Sequence, residues 1–197
     1  MKVVVCGPSH SGKSTFTAGL IRLLRARAWE RVFNRSFTWL TLDVTDNTLP
    51  TLVDPDGKHR RKRDVEWSTE RAQERRAGFE HRDESLVLAD APGRITDELR
   101  LVTEPADCMI LLCSLEKRDE RQSWLGFAEE TGIELYADMT TVLRERIEPG
   151  WNDRSDRNGT VRSVSRSAFD TCQTTAFDDT SHRMLKQLAT DLLNDSQ

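Results

Sequence analysis

Residues Gly7-Pro-Ser-His-Ser-Gly-Lys-Ser-Thr15 form a G-x-x-x-x-G-K-S stretch directly behind the apolar run Val3-Val4-Val5-Cys6. These residue types at this spacing suit one task, holding the phosphates of a nucleotide. Gly7 and Gly12 let the backbone wrap closely around phosphate oxygens, which a Cβ would obstruct. The amides of Pro8 to Thr15 (Pro8 itself excepted), with the start of the helix behind them, make a partly positive concavity. Ser9, His10, Ser11 and Thr15 belong to this cradle, and His10, at a variable position, is expected to face outward and do no catalysis. Lys13 supplies a point charge for the β- and γ-phosphates and is expected to stand exposed. The Ser14 hydroxyl is a ligand suited to Mg²⁺. A phosphate loop needs a strand before it and a helix after it. Phe16, Leu20, Leu23 and Leu24, at helical spacing, supply the helix.

The second half of such a site is a carboxylate on a neighbouring strand. Asp90 ends the run Leu86-Val-Leu-Ala and opens Asp90-Ala-Pro-Gly93, a D-x-x-G pattern. A strand-end Asp can simply start a turn. Beside the phosphate loop, the reading preferred here is a partner of Ser14 for Mg²⁺. The Gly93 amide is then placed to sense a γ-phosphate, with Arg94 following at once. Asp43 and Asp46 are either turn residues or further groups that orient water or metal. No Asn in the chain is followed by Lys, so the N-K-x-D element that reads guanine is missing and ATP is the expected nucleotide. The basic run Lys58-His-Arg-Arg-Lys-Arg63 is read as solvated, as an RNA contact or as a phosphate clamp. Trp67 and Trp124 are expected to pack rather than stack on a base.

The elements that position these residues follow from periodicity. Strands are expected at 2–6, 36–43, 86–90, 108–113 and 133–137, and helices at 14–28, 68–82, 96–103 and 119–131. Residues 46–64, with Asn, Pro and Gly, read as an exposed loop. Beyond residue 140, two strands (141–147 and 160–165) are expected around the polar loop 151–159, with Asn158-Gly159 as a turn signal. Residues 166–180 have no assignment. Leu185, Leu188, Ala189, Leu192 and Leu193 make one stripe of a last helix. Alternating strands and helices predict an α/β, three-layer fold with a mainly parallel central sheet, that of P-loop NTPases. One domain over 1–197 is expected, with a core at about 1–140 and a C-terminal hairpin and helix at 141–197.

Charged residues make up 31% of the 197 residues, yet the net charge is only −4, which gives no general push toward nucleic acid or an anionic membrane. No apolar stretch is long enough to span a bilayer, and the N-terminus does not read as a signal peptide. Cys6, Cys108, Cys113 and Cys172 form no C-x-x-C pair, and buried thiols in a reducing cytoplasm are expected.

GPSHSGKS, Trp67 before a charged helix, LVLADAPGR, ADCMILLCS and Ser123-Trp124 stand in an order that resembles the ATPase domain associated with the CRISPR type III ring nuclease. The resemblance covers about residues 1–140, and no segment looks like the ring nuclease itself. It implies a partner nuclease and cyclic-oligonucleotide signalling. The resulting expectation is a Mg²⁺-dependent ATP-binding protein and slow ATPase acting as a switch. A homodimer, and a nuclease or RNA contact at Lys58–Arg63, are the expected partners. The rival is a small-molecule or nucleotide kinase in which Arg60, Arg61 and Arg63 form a lid.

Overall fold

The computed structural model describes residues 1–29, 36–44, 48–54, 66–142, 150–153, 157–162 and 179–196. The strands are β1 (Lys2–Cys6), β2 (Phe37–Thr41), β3 (Leu86–Asp90), β4 (Cys108–Ser114), β5 (Glu134–Val142), β6 (Gly150–Asp153) and β7 (Asn158–Arg162). They form one seven-stranded sheet in the order β2-β3-β1-β4-β5-β7-β6. Every neighbouring pair is parallel except the antiparallel edge pair β6–β7. The helices are α1 (Lys13–Trp29), α2 (Thr48–Val53), α3 (Thr69–Glu80), α4 (Asp97–Thr103), α5 (Arg121–Thr131) and α6 (Asp179–Asp195).

Apolar residues on both faces of the central strands force helices onto both sides. Val3 and Val5 join Phe16, Leu20 and Leu24 of α1 and Leu185, Leu188 and Leu192 of α6 in one core. Val4 and Cys6 point the other way, into a second core with Phe79 of α3, Leu99 of α4 and Trp124 and Phe127 of α5. The three-layer α/β arrangement is therefore the expected one. Trp124 is buried edge-on to Phe127, with ring centroids 5.8 Å apart, and Trp67 packs half-buried on the same core.

Local caps set the helix ends. Ser68 accepts a hydrogen bond from the Arg71 amide at the start of α3, and Thr96 accepts one from Leu99 at the start of α4. Gly132 stops α5 at φ 71°, a conformation glycine adopts without a Cβ clash.

Several expectations are corrected. Strand 36–43 is shorter, Phe37–Thr41. The expected loop 46–64 contains α2, which buries Leu49, Leu52 and Val53. Pro50 lies in the first turn of α2, where no intrahelical N–H is needed, so it does not break the helix. Strand 133–137 instead runs from Glu134 to Val142, absorbing the start of the expected strand 141–147. A bulge at Tyr136 permits this: Met109 pairs with Leu135 and Ile110 with Ala137. The hairpin is made by β6 and β7, so strand β6 occupies part of the expected loop 151–159. Asn158-Gly159 is no turn; it lies in β7, paired with Asp138 and Met139 of β5. Most of the unassigned stretch 166–180 lies outside the described residues.

The C-terminal helix is tied to that bulge. The Tyr136 hydroxyl donates to Asp195 at 2.8 Å, and the Arg157 guanidinium pairs with the same carboxylate at 2.7 Å. Arg157 also lies over the Tyr136 ring, 3.9 Å from its centroid.

Candidate functional site

The carboxyl ends of β1 and β3 and the amino end of α1 meet at the stretch 7–15. Gly7 has φ 141° and Gly12 φ 81°, backbone conformations that side chains rarely adopt. At Gly7 the space is also taken: an added Cβ would lie 1.8 Å from the Leu112 carbonyl oxygen. His10 has a left-handed φ of 65° and is exposed, as expected of it.

The Pro8 carbonyl organises the loop. It accepts from the Ser11 hydroxyl at 2.7 Å, the Ser11 amide at 3.3 Å and the Lys13 ammonium at 3.0 Å. Lys13 also donates to the Gly7 carbonyl at 2.9 Å. The expectation of an exposed Lys13 is therefore wrong: it is 8% exposed. The ammonium is drawn inward by the two loop carbonyls, which accept two of its three N–H donors and keep the buried cation hydrogen-bonded. Thr15 is buried as well.

Ser14 and Asp90, 76 residues apart in sequence, are in direct contact. The Ser14 hydroxyl donates to Asp90 Oδ2 at 2.9 Å, and Asp90 is 4% exposed. The backbone around Asp90 is fixed on both sides: Leu42 N–H donates to its carbonyl at 2.8 Å, and Ala91 N–H donates to Val5 at 3.1 Å. Cys6, at the end of β1, feels both charges of the site. Burial pushes its thiol up to about 12, with Lys13 opposing and Asp90 assisting. Two hard oxygens on rigid elements are the donor set that Mg²⁺ takes, so these residues fit that ion.

Gly93 is brought onto the phosphate loop. The Ser9 amide and hydroxyl both donate to its carbonyl, at 3.0 and 3.2 Å. A Cβ on Gly93 would lie 2.4 Å from Ser9 Oγ and 2.6 Å from Ser9 N, so the two loops meet because residue 93 has no side chain. Arg94 follows with its side chain exposed. Asp43 is half-buried just past β2, with its carbonyl facing the Thr41 hydroxyl at 3.4 Å. Asp46 and Lys58–Arg63 lie outside the described residues.

Sequence reasoning missed two contacts of this site. Thr141, near the end of β5, donates its hydroxyl to the Ser11 carbonyl at 2.7 Å. No signal marked it, because a Thr in an apolar run reads as an ordinary strand residue. The Ser9–Gly93 contact was equally invisible, although both residues were singled out.

No family model matches the chain, and no curated protein matches it in sequence. Solved structures do. MinD, the septum site-determining protein of Pyrococcus horikoshii, complexed with Mg-ADP, matches with a TM-score of 0.63 and 11% identity over 96% of this chain and 94% of that one. The MinD cell division protein of Aquifex aeolicus matches with a TM-score of 0.60 and 12% identity, over 98% and 97%. The signal recognition particle 54 kDa protein of Aeropyrum pernix, in complex with GDP, matches at 0.51 and 16% identity, over 99% of this chain but 48% of that one. The chain has the fold of the P-loop NTPases. The MinD structures are its near-full-length counterparts, and at this identity the likeness is one of fold. None of these proteins bears on the CRISPR resemblance. Among the described residues, no helix is long and apolar enough to cross a membrane.

Proposed function

We propose that this protein binds Mg·ATP in the cradle Gly7–Thr15 and hydrolyses it slowly as a nucleotide switch. The observation that carries the reading is the 2.9 Å contact between Ser14 Oγ and Asp90 Oδ2, made at the foot of a phosphate-type loop. In this proposal Ser14 and Asp90 hold Mg²⁺, which, when bound, neutralises charge on the β- and γ-phosphates. Lys13 moves from the Gly7 and Pro8 carbonyls to the phosphates, a short displacement for a side chain with four rotatable bonds. The amides of the loop hold the remaining phosphate oxygens. Gly93 and Arg94 report the γ-phosphate. Their loop already rests on Ser9, so a ligand that shifts one loop must shift the other.

Binding is tested by titrating wild type and Lys13→Ala with a fluorescent ATP analogue and Mg²⁺. The variant is expected to bind at least about tenfold more weakly, and equal affinities would overturn the site. Phosphate released from ATP alone supports the ATPase. Turnover that depends on an added acceptor instead identifies the small-molecule or nucleotide kinase.

The switch is tested at Gly93. Gly93→Ala forces the two loops apart. Because Ser9 belongs to the cradle, the variant is expected to bind ADP and ATP alike more weakly, and to lose the difference in amide exchange over residues 91–103 between ADP and a non-hydrolysable ATP analogue. Identical exchange in both nucleotide states of the wild type would end the switch reading.

A further inference from the structure

We propose that Thr141 is a positioning residue for phosphate binding, the strut that turns the loop's amides toward the ligand. Thr141 is 2% exposed and Ser11 is 1% exposed, so the bond between them is sheltered from water. It spans 130 positions of sequence and joins β5 to the crown of the phosphate loop.

The peptide unit explains its effect. The Ser11 carbonyl and the Gly12 N–H belong to one planar, trans unit and point in opposite directions. With the carbonyl drawn toward β5 by the Thr141 hydroxyl, the Gly12 N–H is turned away from β5. Gly12, at φ 81°, accepts this orientation without a Cβ penalty.

The same strut reaches the lysine. Ser11, once oriented, donates both its amide and its hydroxyl to the Pro8 carbonyl, which also takes the Lys13 ammonium. Thr141 thus acts through Ser11 on two groups assigned to phosphate, Gly12 and Lys13. Without the hydroxyl, a buried carbonyl loses its donor, and the peptide is free to rotate toward another one.

This inference rests on the nucleotide reading above, and the experiment separates the two. Thr141→Val keeps the shape and removes the donor, whereas Thr141→Ser keeps the donor and removes the methyl. Mg·ADP affinity is measured calorimetrically for wild type and both variants, well below the lowest of their melting midpoints. Thr141→Val is expected to bind about tenfold more weakly, and Thr141→Ser within about twofold of wild type. A Val variant that melts earlier but binds ADP like wild type overturns the proposal, because its hydroxyl would then serve stability alone. A folded Ser variant that loses affinity overturns it too, and decides the question even where the Val variant does not fold. A wild type that binds neither ADP nor ATP removes the nucleotide reading and this inference with it.

Discussion

Two buried aspartates lie on opposite faces of the sheet, and their partners differ in kind. Asp90, at the end of β3, receives the Ser14 hydroxyl on the α1 side. Asp138, in β5, receives the Arg121 guanidinium at the start of α5, and Arg121 also reaches Thr140 at 3.4 Å. A guanidinium has donors only, so Arg121 offers no oxygen to a metal beside Asp138, and the pair ties the start of α5 to the sheet. A hydroxyl has lone pairs. Ser14 can therefore exchange its hydrogen bond for coordination without leaving its place. Burial alone does not separate the two, since Asp138 is 8% exposed and Asp90 4%. The chemistry of the partner does, and it supports the role proposed for Asp90.

The two aspartates are expected to differ most in turnover. Asp90→Asn is expected to lower ATP hydrolysis by about a hundredfold or more, and Asp138→Asn by less than about threefold. Multiple-turnover phosphate release at saturating Mg·ATP measures both. Equal losses would mean that Asp138 also serves the chemistry.

Stability should reverse the ranking. Burial holds the Asp138 carboxyl above its ordinary range, with Arg121 pulling the other way. Arg121→Met leaves that charge buried and without its cation, at an expected cost of about 3 kcal/mol. Adding Asp138→Asn should restore most of it. Urea unfolding of the two single variants and the double variant gives the coupling, and a double variant no better than Arg121→Met would show that the charge is not the cause.

A smaller effect sharpens the same point through pH. The folded carboxyl of Asp138 binds its proton more tightly than the unfolded one, whose ordinary value is 3.8. The stability that this proton contributes is fully present below the unfolded value and is lost as pH rises through the raised folded value. Removing Arg121 raises the folded value further. The deficit of Arg121→Met is therefore expected to shrink as pH falls from neutral toward 4, and a deficit independent of pH would assign it to lost packing instead.

What was legible in the sequence follows from how local each demand is. Gly7 and Gly12 were readable because positive φ and a Cβ-free cradle restrict those positions to glycine within one short segment. Asp90 was readable because a strand end places it and D-x-x-G follows. Lys13's burial was not, since it depends on where the Gly7 and Pro8 carbonyls turn. The span of β5 was misjudged because a bulge at Tyr136 shifts the pairing by one residue, and only the partner strand reveals that. Asn158-Gly159 read as a turn on local preference, yet its pairing with β5 prevailed. Asp138 carries no motif at all. Its importance lies in Arg121, 17 positions away.

The tie between Thr141 and Ser11 has a consequence for how the chain comes off the ribosome. Strand β1 emerges well before the two strands that flank it, β3 and β4. The crown of the loop waits longer still, for a hydroxyl made 130 residues later. Synthesis at about 5–20 residues per second leaves the N-terminal segment without its neighbours for several seconds. Val3-Val-Val-Cys6, apolar and strand-forming, is exposed throughout that interval, so a nascent chain stalled before β4 should be the form of this protein most prone to aggregate.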